Sequence, residues 1–146
     1  MFSGTSKVLL MEDIIEIESK LNVKLPKQLV NHYLKYNGGI PEKSFFYSEE
    51  ADIEISVSTF LPIKYDNGLN PTLERNYLFF KDNGIIPQEY VPFALDWGGN
   101  LCCINLSSGQ IVVIWLDLGE VNHDAIRFVA DSFDDFLDGL EDEENC

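Results

Sequence analysis

Two apolar runs of strand length, residues 101–106 and 111–116, flank the short polar stretch Ser107-Ser108-Gly109-Gln110. That arrangement reads as a β-hairpin, the clearest in the chain. Neither arm alternates, so both faces of the sheet carry apolar side chains. One face must then lie under helices of the same chain, and the other must be covered too or be adhesive. A hairpin with these properties belongs at the centre of a sheet.

The flanking segments supply the rest of an α+β domain. Ile14, Ile17 and Leu21 recur at helical spacing, with Ile15 beside them, which predicts a helix over about residues 12–21. Pro26 suits the first turn of a second helix, in which Leu29 faces Tyr33 and Val30 faces Leu34. Asn37-Gly38-Gly39 ends that helix and Pro41 forbids its resumption. Phe45-Phe46-Tyr47 reads as a short strand. Ile53, Ile55 and Val57 alternate with polar residues as a half-buried antiparallel or edge strand. Leu73, Tyr77 and Phe80 allow a helix closed by Asp82-Asn83-Gly84, preferred over a strand at 77–80. Val91 to Leu95 reads as a strand with proline near its start or on an edge. Ile126 to Val129 gives a last strand, and Ser132 caps a terminal helix bearing Phe133, Phe136, Leu137 and Leu140. The expected architecture is two N-terminal helices, a mainly antiparallel sheet with a central hairpin, and a C-terminal helix packed on the sheet. Residues 1–146 read as one domain, with an acidic tail without fixed structure at 141–146.

Charge narrows the function. The 146 residues carry 25 Asp and Glu against 10 Lys and Arg, for a formal net charge of -15. Residues 1–81 hold 11 acids and nine bases, whereas residues 82–146 hold 14 acids and only Arg127. Such a chain repels nucleic acid and anionic membranes and steers basic partners. Three cysteines without framework spacing, Cys102, Cys103 and Cys146, predict free thiols and a cytoplasmic location. No apolar stretch approaches membrane-spanning length.

Residue types for catalysis are scarce. Only His32 and His123 are present, and neither sits at metal-ligand spacing, so neither a metal nor a cofactor is expected. Adjacent Cys102 and Cys103 point to opposite faces of a strand and cannot simply chelate one ion. Asp96 and Asp117 end apolar strands and are the candidate acid–base pair. Their competing reading is that each accepts backbone hydrogen bonds at a turn. No catalytic residue is assigned. The residues suited to a basic protein partner are the aromatic–acidic strip Tyr47, Glu49, Glu50, Asp52 and Glu54, together with Trp97, Asp117 and Glu120. For Trp97 the favoured reading is an anchor folded back over the sheet, with partner contact second, and Trp115 reads as core.

Three segments carry a family resemblance. Residues 25–41, LPKQLVNHYLKYNGGIP, resemble the amino-terminal signature of the SUKH superfamily, which includes the Smi/Knr-type domains. Residues 91–106, VPFALDWGGNLCCINL, are similar to its middle pattern, and residues 126–137, IRFVADSFDDFL, to its closing segment. Asn105 departs from an aspartate common in the family, and at Trp97 smaller or polar residues also occur. The resemblance implies a non-enzymatic binding protein whose shared residues are fold determinants. It implies an immunity protein that neutralises a bacterial polymorphic or contact-dependent toxin domain, such as a basic nuclease, by direct binding. A regulatory or scaffold module is the alternative it offers. Oligomeric state stays open at this level.

Overall fold

Apolar spacing and local caps set the helices. The computed structural model describes residues 2–66, 68, 70–116 and 125–142. Helix α1 spans Met11–Leu21; the Asp13 carboxylate turns back to accept the Leu10 N–H at 2.9 Å, which satisfies one orphan donor of the first turn. Helix α2 spans Lys27–Lys35, with Pro26 immediately before its first residue. Helix α3, Leu73–Asp82, takes the segment that also admitted a strand, and the Thr72 hydroxyl caps it by accepting the Arg75 N–H at 3.3 Å. Helix α4, Phe133–Asp138, is capped in the same way by Ser132, whose hydroxyl accepts the Asp135 N–H at 3.1 Å.

Among the described residues, eight strands complete the element order. The short pair β1 (Phe2–Ser3) and β2 (Ile40–Pro41) forms a ribbon of its own. The remaining strands are β3 (Phe45–Ser48), β4 (Ile53–Phe60), β5 (Tyr90–Asp96), β6 (Leu101–Asn105), β7 (Ile111–Ile114) and β8 (Ile126–Ala130). They form one six-stranded antiparallel sheet in sequence order, β3-β4-β5-β6-β7-β8. The β6–β7 hairpin is therefore interior, as its apolar arms require. Strand β5 is interior as well, so Pro92 is not on an edge; it lies near the strand start, next to a register shift between Pro92 and Ala94. Strand β4 pairs with β5 as far as Phe60, three residues beyond its expected end.

Both faces of the hairpin are covered. On one, Cys102, Ile104, Ile111 and Val113 join the main core with side chains of α1, α2 and α4. On the other, Leu101, Cys103, Val112 and Ile114 meet Ile86, with Phe80 and Ile85 alongside. The end of α3 and the loop after it thus serve as the second cover. The consecutive cysteines lie on opposite faces, both buried, and burial pushes both thiols well up from their usual range.

The terminal helix locks the main core. Phe133 and Phe136 pack on Phe93 at centroid distances of 5.2 and 5.7 Å, and Phe136 on Phe46 at 5.2 Å. Each buried ring contributes about 1.5–3 kcal/mol by transfer from water, and edge-to-face pairing adds to that. Beneath them Tyr33 donates its hydroxyl to the carbonyls of Leu61 and Phe93, at 2.8 and 3.2 Å. Beyond α4 the chain pairs with β3, since Glu141 and Phe45 exchange backbone hydrogen bonds of 2.7 and 3.0 Å. The tail expected from residue 141 is therefore tied down at its first residue.

Candidate partner-binding face

The β3–β4 hairpin builds the face. Phe46, Ile53 and Ile55 point into the core, so the alternate positions Tyr47 and Glu54 point out, and they are register partners. The turn between the strands carries Glu49, Glu50 and Asp52, all exposed. The Tyr47 hydroxyl donates to the Asp52 carboxylate at 3.0 Å, which fixes the ring beside the acids and pushes its pKa up. At the turn, the Ser48 hydroxyl accepts the Ala51 N–H at 3.3 Å. The strip read from the sequence is thus one surface: Tyr47 with Glu49, Glu50, Asp52 and Glu54.

A second set of acids joins it. A cleft of about 230 Å³ runs between the β3–β4 turn and the junction of β8 with α4, and its walls include Glu49, Glu50, Asp131 and Asp135. These segments are about 80 residues apart in sequence. They meet because Phe136 of α4 packs on Phe46 and because Glu141 pairs with Phe45. Among the described residues, no lysine or arginine lines the cleft. Among the described residues both ion pairs belong to Lys64, with Asp13 and Glu16, so none of the face's carboxylates is neutralised by one. Sequence reasoning missed Asp131 and Asp135. The only signal that could have found them was the acid run beginning at Asp131, read there as the start of a capped helix.

Trp97 stands apart. Its side chain is 72% exposed, which overturns the reading of this ring as an anchor folded over the sheet. The glycine-rich turn holds the backbone without help from the indole: the Trp97 N–H donates to the Ser56 carbonyl at 3.1 Å while the ring projects outward. The ring borders a groove with Ile40, Glu42 and Asp142. Ser56 pairs with Phe45, and Glu54 with Tyr47, so Trp97 marks one end of the ribbon whose other end carries the acidic turn. Trp115 is half-buried against the main core, with the Arg127 guanidinium 5.1 Å from its ring centroid. Asp117, Glu120 and His123 lie outside the described residues.

The acid–base reading of Asp96 fails on geometry. One carboxylate oxygen accepts the N–H groups of Gly98 and Asn100 at 2.9 and 2.8 Å, and the other accepts the Asn100 side-chain amide at 3.3 Å. The group is committed to its own turn. His32 is buried in a ring of aromatics with Nε2 unpartnered, and burial, aided by the Lys35 ammonium, pulls its pKa down to about 4. Among the described residues no group of three His, Cys, Asp or Glu side chains could hold a metal ion, and no helix is long and apolar enough to cross a membrane.

The profile of the SMI1/KNR4 family (SUKH-1) matches residues 10–139. A search of curated proteins finds no significant match.

Proposed function

The chain belongs to the SMI1/KNR4 family (SUKH-1), and from that premise we propose that it is an immunity protein of the cytoplasm. Its task is to neutralise a cognate bacterial toxin domain, a basic nuclease, by direct protein–protein binding without catalysis. One observation carries the reading: Tyr47, Glu49, Glu50, Asp131 and Asp135 line one cleft in which no lysine or arginine stands among the described residues, while the Tyr47 hydroxyl holds the Asp52 carboxylate and Glu54 is the register partner of Tyr47. A fixed array of unpaired acids attracts a nucleic-acid-binding groove over several ångströms and raises the encounter rate. A half-exposed aromatic among them supplies the desolvated contact that slows dissociation. Bound there, the protein occupies the surface on which the nuclease would hold phosphates. Family membership agrees with a binding module, as does the lack, among the described residues, of any His, Cys, Asp and Glu cluster that could hold a metal ion.

The test is to mix the purified protein with the toxin domain encoded beside it, reading complex formation by calorimetry and protection by residual nuclease activity. A tight complex and lost activity are expected. The triple variant Glu49→Lys, Glu50→Lys, Asp52→Lys should weaken binding at least a hundredfold, with the salt dependence of association lost. A wild-type protein that neither binds the toxin domain nor protects against it would sink the proposal. The regulatory reading would then lead.

A further inference from the structure

The acidic face borders an unfinished edge of the sheet. Strand β3 comes first in the order β3-β4-β5-β6-β7-β8, so only one of its sides has a neighbouring strand of that sheet. In an antiparallel ladder, successive residues send their main-chain N–H and C=O alternately to one side and the other. The Val57 N–H donates to the Ser44 carbonyl at 2.8 Å, so Ser44 faces β4, and Phe46 and Ser48 face the same way. Phe45 faces outward, where it exchanges hydrogen bonds of 2.7 and 3.0 Å with Glu141. Tyr47, two residues on, faces outward as well. Its register partner Glu54 turns away from β3, to the side where the Ser56 carbonyl accepts the Trp97 N–H at 3.1 Å. Among the described residues, neither the main-chain N–H nor the carbonyl of Tyr47 has a partner.

The space in front of that edge is the acidic cleft itself. Its volume of about 230 Å³ has β3 from Phe46 to Ser48 along one wall and β8 from Phe128 to Ala130 along another. Strand β8 is the opposite end of the same sheet, so the sheet curls until both of its terminal strands line one cleft. Glu49 and Glu50 extend the first wall and Asp131 and Asp135 the second, and all four are exposed. Unpaired main-chain groups on a sheet edge are a template for one more strand, and the carboxylates beside them select its charge.

We propose that the cleft takes an extended basic segment of the toxin domain as an added strand on β3. The segment's main chain pairs with Tyr47, and its Lys or Arg side chains lie against Glu49, Glu50, Asp131 and Asp135. The inference rests on the reading of this face as the toxin-binding surface and specifies how the partner is held. In strand addition the main-chain bonds supply affinity and the alternate side chains supply specificity. The edge already accepts such pairing from its own chain, since Glu141 holds the place beside Phe45 in antiparallel register. A second copy fits worse. A twofold β3–β3 ribbon centred on Tyr47 would set residue 49 of each copy on the place beside Phe45 that Glu141 of the other holds. Any edge-to-edge register would also press one acidic face against another in chains of net charge -15.

Amide hydrogen exchange of the full chain, free and bound to the toxin domain encoded beside it, tests this at one atom. In the free chain the Phe46 N–H, inside the β3–β4 ladder, should exchange slowly and the Tyr47 N–H fast. The complex should slow exchange at Tyr47 about a hundredfold or more. A pair of variants supplies a second readout. Tyr47→Pro removes the outward N–H and leaves the β3–β4 ladder whole, as proline does on an edge strand. Tyr47→Thr removes the same ring and keeps the N–H. The proline variant should bind the toxin domain about tenfold or more weakly than the threonine variant. If it fails to fold, exchange in the wild-type complex decides alone. A complex whose Tyr47 amide exchanges as in the free chain would overturn the added strand and leave the acidic face as the binding surface. Equal affinities of two folded variants would do the same. Protection of Tyr47 that grows with the concentration of the chain alone would give the edge to a second copy. A toxin domain that does not bind at all would remove this inference together with the reading it rests on.

Discussion

The chain uses two glycine pairs, and they hold the backbone by different means. Asn37-Gly38-Gly39 is buried where three segments meet. A Cβ on Gly39 would stand 2.6 Å from the Ser3 carbonyl oxygen, and one on Gly38 would stand 2.8 Å from the Pro62 nitrogen. Asn37 completes the junction: its amide donates to the carbonyls of Lys7 and Ile63, each at 2.9 Å, and its oxygen accepts the Ile63 N–H at 2.7 Å. Asp96-Trp97-Gly98-Gly99-Asn100 has the same pair at the surface, where a Cβ on Gly99 would meet nothing within 4 Å. Here the Asp96 carboxylate caps only its own turn. The first motif is a tertiary junction and the second a local turn. Only the second leaves its side chains free for a partner.

Substitution of the junction glycine should have the largest effect. Gly39 sits at φ +102°, and an added methyl group meets backbone that cannot step aside. Left-handed strain plus overpacking should make Gly39→Ala about 4 kcal/mol less stable in denaturant unfolding. A cost below about 1 kcal/mol would mean that the junction yields and that the contrast with the surface turn is false.

Acid should loosen the same junction next. Phe2, in the ribbon that Gly39 admits, packs edge-on against His32 with ring centroids 4.9 Å apart. His32 is neutral in the fold, its pKa lowered from 6.5 to about 4. The unfolded chain takes up the proton first, so the contribution of His32 is intact above pH 6.5 and is lost as pH falls from there to about 4. The loss is on the order of 3 kcal/mol. His32→Phe keeps a ring in the aromatic cage and removes the unpartnered nitrogen. Unfolding curves for this variant should show no loss between those pH values. An identical acid profile in both proteins would place the sensitivity elsewhere.

Gly99→Ala is the matched probe of the surface turn. The residue lies at φ +83° with open space around it, so the cost is backbone strain alone, about 1 kcal/mol. A loss as large as that of Gly39→Ala would erase the distinction.

How much of this was legible in the sequence follows the same division. Local features read correctly: the β6–β7 hairpin from its apolar arms, and α4 from Ser132. The Asn105 carboxamide caps that hairpin by accepting the N–H groups of Ser107 and Ser108 at 2.8 and 3.0 Å, a role an aspartate would fill equally. Features made by distant contacts did not read. Strands β1 and β2 are two residues each and exist only because they pair with one another. Strand β4 runs on to Phe60 because β5 lies alongside. In the candidate site the strip at Tyr47–Glu54 was visible because five of its members lie within eight residues. Asp131 and Asp135 were not, since only the packing of Phe136 on Phe46 brings them there. Trp97 was misjudged because a tryptophan beside a glycine pair suggests burial, whereas Asp96 had already secured that turn.

Trp97→Ala should change stability least of all. The ring is exposed and holds nothing in place, so unfolding should shift by no more than about 0.5 kcal/mol. Its value lies in separating fold from function within one turn. If the toxin domain spans the ribbon from the acidic turn to this end, losing the indole removes an aromatic contact of the kind that dominates interfaces. Affinity should then fall about tenfold or more. Titration of the variant against the toxin domain reads this directly, with the Glu49, Glu50, Asp52 lysine variant as reference. Unchanged affinity would confine the interface to the acidic end and remove Trp97 from it. A large loss of stability would instead show that the surface turn is a junction like the buried one.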